Sequence, residues 1–350
     1  MLIFISDWQN IILFVGDSKT PNTGLDEISK EEKMKRILAV LTAAVLAAST
    51  LAGCGKTKTE VNVGVLKGPT GIGAIQIMSE SDSGNYEGYN FTLTPDVTDI
   101  VARLTNKDLD IGALPTNVAA NLYNKTNGEV EIIAINCLSV LYILENGNSI
   151  NSVADLKGRT ILVNGQGANP EYTLNYILRG AGLEPGVDVD VQFGDPAEIS
   201  AKMISGEADL CMLPVPSVTT ILMKNPDVRK ALDVSDEYEA VAGDESKLTM
   251  GCLVARKEFV ENHPKETEEF IERYRKSIDF VLANPSEAGE LVAQYEITGS
   301  AQIAEAAIPD CGIVCITGDD IRPTLEGYLQ VLFNAAPESI GGAMPGEDFY

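Results

Sequence analysis

The sequence predicts a two-lobed α/β protein, each lobe a mostly parallel sheet flanked by helices, with a ligand cleft between the lobes. Three observations carry this reading. A segment of the chain recurs at an offset of 99 residues. Each copy alternates short apolar β-branched runs with stretches of helical periodicity, the pattern of parallel strands joined by helices. A tail dominated by helical patterns follows the second copy, too poor in strands to build a third sheet.

The repeat is read first, because it sets the architecture. "DIVARLTNKDLDIGALP" (99–115) lies over "EISAKMISGEADLCMLP" (198–214), matching Ile100 with Ile199, Ala102 with Ala201, Asp110 with Asp209, and Leu114 and Pro115 with Leu213 and Pro214. The same offset lays "VGVLKGPTG" (63–71) over "LVNGQGANP" (162–170), with Gly68 on Gly167. Each unit reads as strand, glycine-bearing loop and helix, then a further helix, strand, Leu-Pro turn and helix. In the second unit, Ile161 to Val163 form a short apolar run, and Leu174, Ile177, Leu178 and Ala181 recur at helical spacing until Gly182 stops the helix. Residues 138–151 leave the first unit, and "LTMGCLVA" (248–255) is a strand-like run after an acidic stretch. Helices are expected over 265–283, 285–295 and 323–334, packing back on the first unit. The lobes are therefore expected at 61–150 with 248–350, and at 151–247.

The N-terminal region reads as an export signal that does not start at residue 1. Lys35 and Arg36 supply a positive segment, residues 37–48 an apolar run too short to span a bilayer, and residues 49–53 a small-residue end. Leu51, Ala52, Gly53 and Cys54 resemble the lipobox of bacterial lipoproteins, which implies a signal peptide at 34–53 and lipid on Cys54, followed by a tether at 54–60. Residues 1–33 are expected to be an untranslated or non-native extension. Translation would begin at Met34, because codons for Lys30, Glu31 and Glu32 can spell a purine-rich ribosome-binding sequence.

Composition excludes several partners. Residues 1–53 carry five of the 26 basic and six of the 51 acidic residues, so the chain beyond them has a net charge of −24. A nucleic-acid partner is excluded on that balance, and so is a direct electrostatic hold on anionic lipid. About 290 residues remain, enough for two domains with cores of their own. Cys137, Cys211, Cys252, Cys311 and Cys315 are scattered and odd in number, which indicates neither a disulfide framework nor a metal cluster. Cys311 and Cys315 are read as two thiols.

The stretches "SVADLKGRTILVNGQGANPEYTLNYIL", "ADLCMLPVPSVTTIL" and "LTMGCLVARKEFVENHPKE", with the lipobox, resemble the substrate-binding lipoproteins of ABC importers, in the class of nitrate, sulfonate, taurine and thiamine-pyrimidine binders. The resemblance implies the type II periplasmic-binding-protein fold, capture of a small solute by hinge closure, and delivery to a permease and its ATPase. It also implies a place on the outer face of the cytoplasmic membrane. The family's second-lobe turn often reads Leu-Pro-Glu-Pro-Phe, whereas Val215 and Ser217 stand in the place of the Glu and the Phe here. An enzyme on the same fold, of the pyrimidine-synthesis or menaquinone-pathway type, is the alternative; the export signal favours binding.

Ligands of open α/β sheets lie beyond the carboxyl ends of strands, where loops enter helix N-termini with unpaired amides. Four loops qualify, at 67–71, 114–117, 165–170 and 213–217. Their candidate ligand-binding residues are Lys67, Gly68, Thr70, Gly71, Thr116, Asn117, Gln166, Gly167, Ala168, Asn169, Pro214 and Ser217. Tyr142 and Tyr172 are candidates for an aromatic wall. Lys67 is the one ionisable side chain in these loops, so the expected solute is organic and neutral or singly negative. Catalysis lacks its parts: His263 is the only histidine and sits in a turn, and neither a phosphate loop nor a dinucleotide fingerprint has the required spacing. No cofactor or metal is expected.

Overall fold

A computed structural model describes residues 59–243 and 246–350. The expected extension, the signal peptide, Cys54 and all but the end of the tether lie outside those residues.

In chain order, β1 (Val61–Leu66) leads into the short helix α1 (Pro69–Gly73) and α2 (Ile75–Asp82). Next come β2 (Tyr89–Thr94), α3 (Val97–Thr105), β3 (Ile111–Pro115), α4 (Thr116–Lys125), β4 (Val130–Cys137) and β5 (Leu141–Asn146). The second copy follows as β6 (Thr160–Val163), α5 (Asn169–Gly180), β7 (Asp190–Phe193), α6 (Pro196–Ser205), β8 (Leu210–Pro214), α7 (Ser217–Lys224), β9 (Val228–Asp233) and α8 (Val234–Ala242). The chain ends with β10 (Gly251–Arg256), α9 (Lys257–Asn262), α10 (Pro264–Ala283), α11 (Pro285–Gln294), α12 (Ala301–Ala307), β11 (Ile313–Ile316) and α13 (Ile321–Ala335).

Two sheets result, with strand orders β11-β4-β10-β3-β1-β2 and β7-β6-β8-β5-β9. Aligned in one sense they read β2-β1-β3-β10-β4 and β7-β6-β8-β5-β9, so the repeat seen in sequence is a repeat in space. The 99-residue offset carries β3 onto β8 end for end. β1 runs parallel to β2 and β3, and β6 runs parallel to β7 and β8. Into each sheet one strand is inserted antiparallel between its third and fourth members: β10 between β3 and β4, and β5 between β8 and β9. Each sheet is thus mixed rather than purely parallel, and each inserted strand arrives from the other lobe.

The membership of β5 moves one lobe boundary. Residues 141–150 were expected in the first lobe, but β5 pairs with β8 and β9 of the second sheet, so the first crossing falls at 138–140. The reason is visible in the strand itself: Leu141, Ile143 and Leu144 bury side chains on both faces, which suits an interior position. The second crossing lies between Ser246 and β10. Helices α10 and α11 pack on α2 in the first lobe, whereas α13 touches α4 and β4 of the first lobe and α5 of the second. Tyr328 of α13 is fully buried, and its hydroxyl lies 3.1 Å from Thr173 Oγ1 on α5.

Helix ends follow local chemistry. Asp96 and Asp195 sit at equivalent positions and cap α3 and α6 by accepting from backbone amides. In α5, Pro170 occupies the first turn, Glu171 lies near the positive end of the helix dipole and Arg179 near the negative end, while Leu174, Ile177 and Leu178 face the core.

One buried ion pair shapes the turn after β5. Glu145, 1% exposed, accepts from the amide and hydroxyl of Ser149, the amide of Ile150 and the guanidinium of Arg229 at 2.7 Å. Burial pushes its carboxyl up, but the bonds from Ser149, Ile150 and Arg229 together outweigh that and lower it from 4.5 to about 2. A lowered folded-state value means the contribution to stability is fully present above the unfolded value and lost as pH falls through the folded one. Glu145→Gln should therefore cost about 2 kcal/mol in urea unfolding at pH 7. The gap from wild type should shrink between pH 4.5 and 2. A gap that stays constant over that window would place the effect in packing rather than in charge.

Candidate functional site

The two crossings set the geometry of the site. β4 ends at Cys137 and β5 begins at Leu141 opposite Pro214, the carboxyl end of β8. Four residue steps span at most about 14 Å, so the carboxyl end of β4 lies within that distance of the carboxyl end of β8. All four candidate loops leave from the carboxyl edges of the two sheets, two per lobe.

Thr116 and Val215, which the repeat aligns, make the same bond. The amide of Thr116 donates to the carbonyl of Met250 in the second crossing at 3.3 Å, and that of Val215 donates to Val140 in the first at 2.9 Å. Each Leu-Pro loop is thereby fixed to the segment that enters its lobe. Between these pins the first crossing is held from both sides: the amide of Leu138 donates to the Gly312 carbonyl beside β11, the carbonyl of Val140 accepts from Val215 of the second lobe, and the hydroxyl of Ser139 accepts from the amide of Leu141 at 3.3 Å. In the second crossing, Ser246 Oγ lies 2.8 Å from the Tyr238 hydroxyl of the second lobe, while the carbonyl of Thr249 accepts from Thr116 in the first. Lys247 is tied to the second lobe as well, its ammonium bonding Glu239 at 2.6 Å, so Leu248 lies between the bonds to the two lobes.

The loops place their candidate residues unevenly. Thr116 is fully buried and its hydroxyl donates to Thr249, so it holds the crossing, while Asn117 beside it is half-buried. Thr70 is buried and Gly71 lies against the chain: a Cβ on Gly71 would sit 2.5 Å from the carbonyl oxygen of Leu66. Gly68 precedes α1, and exposed Lys67 has its ammonium 3.9 Å from Glu296. In the second lobe Gln166 and Gly167 are exposed, Gly167 at φ 71°, and Ala168 precedes α5. The amide of Gly167 donates to Glu171 at 2.7 Å, and its carbonyl accepts from Tyr172 at 3.1 Å, which stands Tyr172 against the loop. Asn169 is 4% exposed with its Oδ1 unpaired. Pro214 and Ser217 are half-buried on either side of Val215. Tyr142 is not an open wall, because Lys230 Nζ sits 4.5 Å from its ring centre.

Three polar groups at the strand ends escaped the sequence reading. Asn136, near the end of β4, is fully buried and donates to the Tyr274 hydroxyl at 3.2 Å while its Oδ1 is unpaired. Asn164 follows β6 and has an unpaired Oδ1, and the hydroxyl of Thr249 is likewise unpaired. A signal existed for Asn136, a lone amide in the apolar run "IIAINC". Asn164 fell one residue outside the loop as drawn. Burial pushes the carboxyl of Asp233 up at the end of β9.

Surface concavities lie elsewhere. One of about 250 Å³ is lined by Lys107, Arg256, Lys257 and Glu258, and one of about 740 Å³ by Ser246, Lys247, Pro323 and Glu326; neither includes residues of the four loops. Among the described residues no three His, Cys, Asp or Glu side chains gather as a metal site, and no helix is long and apolar enough to cross a membrane.

With the geometry in hand, known proteins can be compared. A family profile described as NMT1/THI5 like matches residues 128–288, which take in the first crossing, the whole second lobe and the return to the first. A binding protein of Brucella abortus is 26% identical over 174 residues, 50% of this chain. The chain spans about half the length of that curated relative, 52%. A solved ABC transporter chain from Parabacteroides distasonis superposes with a TM-score of 0.70 at 20% identity, covering 83% of this chain and 98% of its own. The periplasmic aliphatic sulphonate binding protein SsuA from Escherichia coli gives 0.63 at 15% identity, covering 81% and 90%. Both are named for transport or solute binding, neither for catalysis. The superpositions bear out the expected two-lobed fold.

Two loop glycines separate contact from conformation. Gly71→Ala brings a methyl group against backbone that cannot yield, whereas Gly167→Ala meets nothing within 4 Å and only strains a left-handed residue. The second should cost about 1 kcal/mol and the first clearly more, read as melting temperatures of the two variants. Equal losses would show that the approach of Gly71 to Leu66 is not limiting.

Proposed function

We propose that this protein is the solute-binding subunit of an ABC import system. It captures a small organic solute between its lobes by hinge closure and delivers it to a permease and its ATPase. Lipid on Cys54 would hold it at the outer face of the cytoplasmic membrane, outside the permeability barrier where capture is useful. The observation that carries the reading is the matched pair of bonds from Thr116 and Val215, which ties equivalent loops of the two lobes to the two crossings. The NMT1/THI5-like match and the fold shared with solute-binding proteins support the same class.

The proposed solute is neutral or carries one negative charge. Lys67 is the ionisable side chain of the four loops, and Glu296 already engages it. What the loops otherwise offer are amides, hydroxyls and the helix N-termini of α4, α5 and α7, enough for one charge but poor partners for two.

A thermal-shift screen of small solutes on the protein from Cys54 onward should find one that stabilises it, by about 2.7 kcal/mol at 100 times its dissociation constant. With that solute, Asn117→Ala and Asn169→Ala should each weaken binding at least tenfold from opposite lobes, and scattering should report a smaller radius of gyration. Affinity unchanged in both variants, with an unchanged radius, would move the site elsewhere. Cys54→Ser should release the protein from the membrane with its melting temperature intact; an unlipidated Cys54 within a longer chain would remove the anchor.

A further inference from the structure

One charged pair joins the lobes away from the four loops. Lys230 lies on β9 of the second sheet, and its ammonium bonds the carboxylate of Asp310, in the turn that links α12 to β11 of the first lobe. The same ammonium rests on the ring of Tyr142, at the start of β5, 4.5 Å from its centre. Side chains of the pair are 33% and 28% exposed, so water reaches both without separating them. Asp233, three residues further along β9 than Lys230, adds a second carboxylate near the ammonium. Beside the pair, α12 of the first lobe packs on α7 of the second. Any opening that draws α12 from α7 must pull Lys230 from Asp310 or from Tyr142. Lys230 belongs to the repeat and Asp310 to the tail beyond it, so no counterpart exists at Glu131, the position the offset aligns with Lys230.

We propose that Lys230, seated on Tyr142 and bonded to Asp310, is an inter-lobe latch that weights the arrangement described here over arrangements in which α12 and α7 part. The latch gives the hinge a set point, since a solute that closes the lobes then has less of the ordering to supply. It rests on the solute-binding reading for its purpose but not for its test.

The test uses the protein without added solute and reads deuterium exchange in peptides covering α7 and α12. Lys230→Met and Asp310→Asn should each raise exchange there about two- to fivefold, the range for a partly exposed pair with an aromatic partner. The exchanged pair Lys230→Asp with Asp310→Lys should return toward wild type. Single variants that exchange like wild type, or a charge swap no better than either single variant, would overturn the latch. Melting temperatures near wild type in all variants would confirm that the fold is retained; a collapsed melting temperature in one single variant makes the charge swap the deciding comparison. A failed solute screen leaves this result unaffected, so the two readings fail separately.

Discussion

Each lobe depends on a strand it does not itself supply. An interior strand must pair its amides and carbonyls on both sides, because buried backbone groups left unpaired are costly. In the first sheet the gap between β3 and β4 is filled by β10, and in the second the gap between β8 and β9 is filled by β5, each sent across from the other lobe. Neither sheet is complete until the chain has crossed. The crossings also carry the bonds from Thr116 and Val215, so the completion of the sheets and the positioning of the loops are one event.

That dependence explains which parts were legible in the sequence. The repeated units were, since strand, loop and helix are encoded locally by β-branched runs, glycine and helical spacing, and the offset fell on β3 and β8 without error. The inserted strands were harder. "LTMGCLVA" reads as a strand and residues 138–151 only as a segment leaving the first unit; which sheet receives an inserted strand depends on a gap that no local pattern records, and the residues of β5 were expected in the other lobe. Within the site, the loops were legible because turns announce themselves through glycine and proline. Asn136 stood out as a lone amide in an apolar run, but its role appears only when Tyr274 of a distant helix accepts from its amide nitrogen and its oxygen is left unpaired.

The same distinction runs through the candidate residues. Thr116 and Gly71 are in the right loops yet face inward, one bonding Thr249 and the other pressed against Leu66. Asn117, beside Thr116, is only half-buried, so adjacent residues of one turn divide between holding the loop and meeting solvent. A sequence identifies the turn; the partition of its residues follows from which carbonyls happen to lie behind it.

Charge completes the picture. The chain is strongly acidic, and of the basic side chains near the strand ends Lys230 is committed to Asp310 and Tyr142 between the lobes, while Lys67 meets only the exposed carboxylate of Glu296, 3.9 Å away. An ammonium drawn away by a fixed carboxylate offers little to a ligand, and its release would itself cost the pairing. Recognition of a solute's charge would then fall to backbone dipoles at the starts of α4, α5 and α7, whose influence fades within a helical turn. Groups of that kind discriminate by distance and direction more than by net charge. A solute held by them is chosen for where its polar atoms sit, and the lobes must come together accurately for the choice to be made.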